Sequence, residues 1–143
     1  MNSNLKTRLL SVFADLSLYG FSVGVDFNGF QPAWAHSTYP EDWIERYVEK
    51  GYVAKDATIK HGTNYEGHFS WEQLRELYPD DPVLRDAHDF GLKEGNTLSI
   101  RINGRSSIVS CCGPVWNEVQ VQEATGALAG LHEIGRASCR ERC

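Results

Sequence analysis

Near the start of the chain, apolar residues recur at helical spacing. In "NLKTRLLSVFADLSLYG", Leu5, Leu9, Val12, Phe13 and Leu16 share one face, which predicts a helix with Asn4 as its N-cap. The period then shortens to two. "FSVGVDF" (residues 21–27) alternates as a strand, Asn28-Gly29 signals a hairpin, and "QPAWAHS" returns as the partner strand. Pro40 fits the first turn of a helix that carries Trp43. "EGHFSW" reads as a short strand, and "SWEQLRELYPDDPVLRDAHDFGL" as two helical pieces broken at Pro79 and Pro82. "NTLSIRI" and "SSIVSCC" form a second hairpin around Asn103-Gly104. "VWNEVQVQEATGALAGLHE" predicts a last helix, interrupted by glycines and ending near Glu133. Five short, mostly antiparallel strands with helices before, between and after them define an α/β class. The expected architecture is an α-β-α sandwich, its central sheet covered by helices on both faces.

Size and charge narrow the picture. With 143 residues and 16.1 kDa the chain is one domain's worth, enough for a single core. No stretch approaches the roughly 20 apolar residues of a membrane span, and no charged-then-apolar leader opens the chain, so a cytoplasmic location without membrane contact is expected. A net charge of −5 provides no basic footprint for nucleic acid. Of four cysteines, Cys111 and Cys112 are adjacent and the other two fall in the last five residues, a spacing unlike a secreted scaffold or a zinc knuckle. The final "EIGRASCRERC" lacks a sustained apolar period and resembles the translation of sequencing-adapter read-through. Residues 1–132 are therefore read as the domain and residues 133–143 as a non-native tail, with a genuine polar tail as the alternative.

The chemistry concentrates between residues 39 and 71. Tyr39, Trp43 and Tyr47 are spaced by four, so on a helix they share one face; Asp56 follows nine residues later and Trp71 fifteen beyond that. Each ring joins a large apolar body to one polar tip, and buried tips seek partners. Such donors and one carboxylate suit a small ligand with two carbonyls, an amide N–H and an apolar tail. The competing reading makes the aromatics plain core residues and Asp56 the cap of a turn. Other chemistry is poorly supported. His61 and His68 are seven apart without a third metal ligand, and no nucleophile or metal cluster for an enzyme stands out. Neither a metal nor a cofactor is expected. Cys111 and Cys112 alternate on a strand, which puts one inward and one at the surface, and "PDDPVLRDAHD" reads as a solvated helix face.

"YPEDWIERYVEKGYVAKDA", "FSW" and "AHDFGLKEGNTLSI" resemble the autoinducer-binding domain of LuxR-type quorum-sensing regulators, over roughly residues 5–132. The resemblance implies a GAF/PAS-like fold and a non-enzymatic sensor in which an N-acyl-homoserine lactone lies between the sheet and one helical layer. Carried over, Trp43 donates to the lactone carbonyl, Tyr39 donates to the acyl carbonyl, and Asp56 accepts from the amide N–H. Trp71 packs on the lactone ring, Tyr47 lines the floor, Ser110 lies near the acyl amide end, and Gly95 stands where a side chain would crowd the pocket. Val25, Phe27 and Val109 are candidates for setting its depth. The chain departs from the family pattern at Ala57 and Ser99, where prolines are usual. The resemblance further implies an intact regulator that dimerises and meets DNA through a C-terminal helix-turn-helix domain, which does not fit before Cys143. The alternative is a GAF- or PAS-type sensor of a non-lactone ligand.

Overall fold

The computed structural model describes residues 3–142, with side chains over 4–136. Its elements are α1 (Ser3–Asp15), β1 (Phe21–Asn28), β2 (Gln31–Ser37), α2 (Glu41–Glu49), a 3-10 turn (Tyr52–Ala54), α3 (Ala57–Gly62), β3 (Gly67–Ser70), α4 (Trp71–Leu77), α5 (Pro82–Asp89), β4 (Gly95–Ile102), β5 (Arg105–Cys112) and α6 (Glu118–Arg142). The strands lie in the order β2-β1-β5-β4-β3, and every pairing is antiparallel rather than most of them.

Both hairpins have two-residue loops. Asn103 and Gly104 both take positive φ, as a type I′ turn requires, and leave Ile102 opposite Arg105. In the first hairpin the loop is Gly29-Phe30, with Asn28 still paired to Gln31; only Gly29 has positive φ. Proline marks boundaries on the helical side. Pro82 occupies the first turn of α5, whereas Pro40 is the N-cap of α2 rather than a residue of its first turn. Asn4 lies inside α1 and does not cap it.

Alternation along the strands divides the interior in two. Phe21, Val23, Val25, Val109 and Cys111 point to one face and pack with Phe13 of α1 and Leu128 and Leu131 of α6. Trp43, Trp71, Leu74, Leu84 and Cys112 form a second cluster on the opposite face, beneath α2–α5. Because helices cover both faces, Cys111 and Cys112 are both buried, one in each cluster; the expected surface thiol is a core residue. The same division moves Val25 and Val109 away from any pocket under α2–α5.

The glycines of α6 do not interrupt it. A Cβ at Gly130 would stand 2.9 Å from Leu9 of α1, and one at Gly135 2.8 Å from Val25, so bare backbone lets the helix lie close to α1 and the sheet. The helix runs to Arg142, beyond the end expected near Glu133. Residues 79–89 are likewise not a solvated face. Asp81 caps α5, Asp86 accepts from Arg46 and from the Tyr52 hydroxyl, and Val83, Leu84 and Ala87 are buried.

Ser70 caps α4 through a reciprocal capping box with Gln73, which fixes Trp71 as the first residue of that helix. Ser70→Ala should therefore cost about 1 kcal/mol and lower the melting temperature by roughly 3 °C. Paired thermal melts of variant and parent check this; equal melting temperatures would show that the cap contributes nothing.

Candidate functional site

Between the second cluster and the sheet lies a cavity of about 280 Å³, near the lower end of ligand-site volumes. Tyr39, Trp43, Tyr47, Asp56, Trp71 and Ser110 all line it. Tyr39 reaches it from outside the helix. It precedes the Pro40 cap, so the three rings do not form a helical stripe, although Trp43 and Tyr47 do lie one turn apart on α2. The Tyr39 hydroxyl donates to the Ser110 carbonyl at 3.1 Å.

Asp56 is the N-cap of α3 and 8% exposed. Its Oδ1 accepts from the Thr58 N–H (2.9 Å) and the Thr58 hydroxyl (2.7 Å), while Oδ2 accepts from the Tyr47 hydroxyl at 2.7 Å. Capping and cavity lining are thus two roles of one carboxylate, not alternatives. Burial pushes the Asp56 carboxyl up from its ordinary range, and the bonds from Thr58 and Tyr47 oppose that rise. Burial, with the neighbouring carboxylate, raises the Tyr47 phenol as well, so it remains a donor; burial also holds Tyr39 protonated. At Ala57, the backbone N–H that a proline would lack donates to Asp81 at 3.2 Å and ties the start of α3 to the cap of α5. Ser99 donates to the Gly62 carbonyl, joining β4 to the end of α3.

The two tryptophans differ in one atom's circumstances. The Trp71 indole N–H is spent on Thr97 Oγ1 (3.1 Å), which in turn meets Ser110 Oγ at 2.8 Å. Trp71 thus offers the cavity a ring face rather than a donor. Gly95 makes this possible, because a Cβ there would lie 2.5 Å from the indole. Trp43 is 4% exposed and packed against Tyr47, Tyr52 and Phe90, yet its indole N–H has no hydrogen-bond partner among the described residues. It is a free donor at the cavity wall. Outside this wall, Asp86 joins Arg46 of α2, Tyr52 of the 3-10 turn and α5; the Arg46 hydrogen bond holds the Asp86 carboxyl below its usual range.

Thr58 and Thr97 were not among the candidates, though both left a trace in the sequence. Threonine two residues after aspartate is the pattern of a side-chain-capped turn. Counting outward from the Asn103-Gly104 turn puts Thr97 opposite Ser110, as observed. The Arg46–Asp86 bridge joins residues forty apart and left no such signal. Among the described residues no cluster of His, Cys, Asp or Glu could hold a metal ion, and no helix is long and apolar enough to cross a membrane.

Residues 10–132 match the autoinducer binding domain. RhlR, a quorum-sensing regulator of Pseudomonas aeruginosa, is 36% identical over 77 residues, covering 52% of this chain and 31% of RhlR. RpaR, a quorum sensing-dependent transcriptional regulator of Rhodopseudomonas palustris, is 29% identical over 79 residues, covering 52% of this chain and 32% of RpaR. The matches span about a third of the length of these two regulators. The crystal structure of Escherichia coli SdiA superposes with a TM-score of 0.64 at 22% identity, over 92% of this chain and 62% of SdiA. The chain belongs to the autoinducer-binding domain family of LuxR-type quorum-sensing regulators.

The burial of Asp56 has a pH signature. A folded-state pKa raised above the unfolded value of about 3.9 means that the folded protein keeps the proton longer. The Asp56 contribution to stability is then fully present below about pH 4 and declines as pH rises through the folded pKa. Subtracting the unfolding free energies of Asp56→Asn from those of the parent across pH 4–7 should leave a difference that falls with pH. A flat difference would mean that the hydrogen bonds cancel the desolvation.

Proposed function

We propose that this domain binds an N-acyl-homoserine lactone in the cavity and controls transcription as the sensing part of a longer, cytoplasmic regulator. The observation that carries the reading is the unpartnered Trp43 indole N–H, set beside a buried carboxylate whose protein partners are all donors. A ligand carbonyl supplies what Trp43 lacks, and an amide N–H adds one more donor to Asp56. Tyr39 exchanges the Ser110 carbonyl for the acyl carbonyl. Trp71, its own N–H satisfied, packs on the lactone ring, Tyr47 holds Asp56 from the floor, and Ser110 lies near the acyl amide end. The pairing of an indole donor with a carboxylate suits a ligand that has a carbonyl and an amide N–H, as an acyl-homoserine lactone has. Dimerisation and DNA contact belong in this reading to the whole regulator, as the greater length of RhlR and RpaR supports.

Two substitutions separate recognition from packing. Asp56→Asn keeps the shape but removes a charge-assisted bond worth roughly 1.5–3 kcal/mol, so affinity for the lactone should fall about 10- to 150-fold. Trp43→Phe keeps most of the apolar area and deletes the N–H, and should weaken binding by about 1–3 kcal/mol while the fold survives. Protein produced with lactone and analysed by competition calorimetry gives both numbers. Parent-like affinity in both variants would remove these residues from recognition, and a Trp43→Phe that melts well below the parent yet binds with parent-like affinity once folded would make Trp43 a core residue.

A further inference from the structure

At the end of the cavity away from Trp43 and Asp56, β1 breaks its own alternation. Phe21, Val23 and Val25 point toward α6, so residue 27 of a regular strand would do the same and Asp26 would put its carboxylate into the cavity. Instead Asp26 takes φ +57 in the middle of the strand, a conformation uncommon for a residue with a side chain. The two side chains trade faces. Phe27 lines the cavity, with its ring over Gly24 and beside Pro32.

The exchange is secured on the other face. The Asp26 N–H donates to Ser107 Oγ at 2.9 Å, and Ser107 Oγ is 2.7 Å from His132 Nδ1 of α6. Arg105 Nε stands 3.3 Å from the Asp26 carboxylate and donates to the Phe27 carbonyl at 2.8 Å. A left-handed residue held by this many partners is a device that aims its neighbour, and what it aims is the largest apolar group at that end. Ser22, opposite Ser110 at the polar end, lies five residues back along β1, roughly 16 Å at strand rise.

We infer that Phe27, turned into the cavity by Asp26, is the stop that limits the length of acyl chain the domain accepts. The inference rests on the acyl-homoserine lactone reading for the head group, but the stop itself acts on the chain. Gly24 makes the geometry adjustable in both directions. Phe27→Ala vacates the end of the cavity. Gly24→Ala places a Cβ 2.6 Å from the tip of the Phe27 ring and so pushes the ring further in.

The test uses two ligand series of increasing chain length, N-acyl-homoserine lactones from butanoyl to dodecanoyl and unbranched primary alcohols over the same range. Parent, Phe27→Ala, Phe27→Leu and Gly24→Ala are each produced with every ligand, and soluble yield, melting temperature and relative affinity by competition are read. The optimum should move to longer chains in Phe27→Ala, less so in Phe27→Leu, and to shorter chains in Gly24→Ala. Each additional methylene buried in Phe27→Ala should improve relative affinity roughly fourfold. If only the alcohols show the shift, the lactone reading fails and the stop stands. An unmoved optimum in all variants, or a parent that neither series stabilises, overturns the proposal.

Discussion

A carboxylate buried where three elements meet organises this domain. Asp56 begins α3 by capping it through Thr58 and holds α2 in place by accepting from Tyr47. Asp81, the cap of α5, receives the next backbone N–H. Burying an anion costs several kcal/mol unless its lone pairs are satisfied, so the surrounding donors are a condition of the fold. That condition also leaves room for one more donor. In the proposed reading, a ligand N–H that completes the set stabilises recognition and fold together.

The sheet carries two independent tasks because its strands alternate. One face packs against α1 and α6 chiefly through Phe21, Val23, Val25, Val109 and Cys111. The other presents Ser22, Gly24 and Ser110 to the cavity, small or polar groups that leave volume instead of filling it. The Arg46–Asp86–Tyr52 cluster ties α2, the 3-10 turn and α5 into one outer wall.

Much of this was legible in the chain. Two-residue turns, proline punctuation and period-two runs located all five strands, and the spacing of Trp43, Tyr47, Asp56 and Trp71 marked residues that share the cavity. What escaped depended on contacts remote in sequence or on backbone that breaks its own period. Periodicity extends Tyr39 into the helix, but Pro40 caps that helix and leaves Tyr39 outside it. Alternation puts one cysteine at a surface, but the second helical layer leaves none. Val25, Phe27 and Val109 looked equivalent as pocket residues; the left-handed Asp26 turns Phe27 alone to the cavity. Glycines that weaken an isolated helix here permit contact with Leu9 and Val25, which only the packed structure reveals.

Of the three buried tryptophans, Trp43, Trp71 and Trp116, Trp43 alone keeps its indole N–H unpartnered among the described residues. Trp71 and Trp116 spend theirs on Thr97 and on the Leu16 carbonyl, and Trp43 does not. Hydrogen–deuterium exchange of the indole N–H groups, followed by nitrogen-15 NMR with Trp43→Phe as the assignment control, reads this atom directly. In protein saturated with an acyl-homoserine lactone, the Trp43 N–H should exchange as slowly as those of Trp71 and Trp116 and shift with the electronic character of the ligand carbonyl. A Trp43 N–H that still exchanges rapidly in the saturated complex, and does not respond to the carbonyl, would contradict the account.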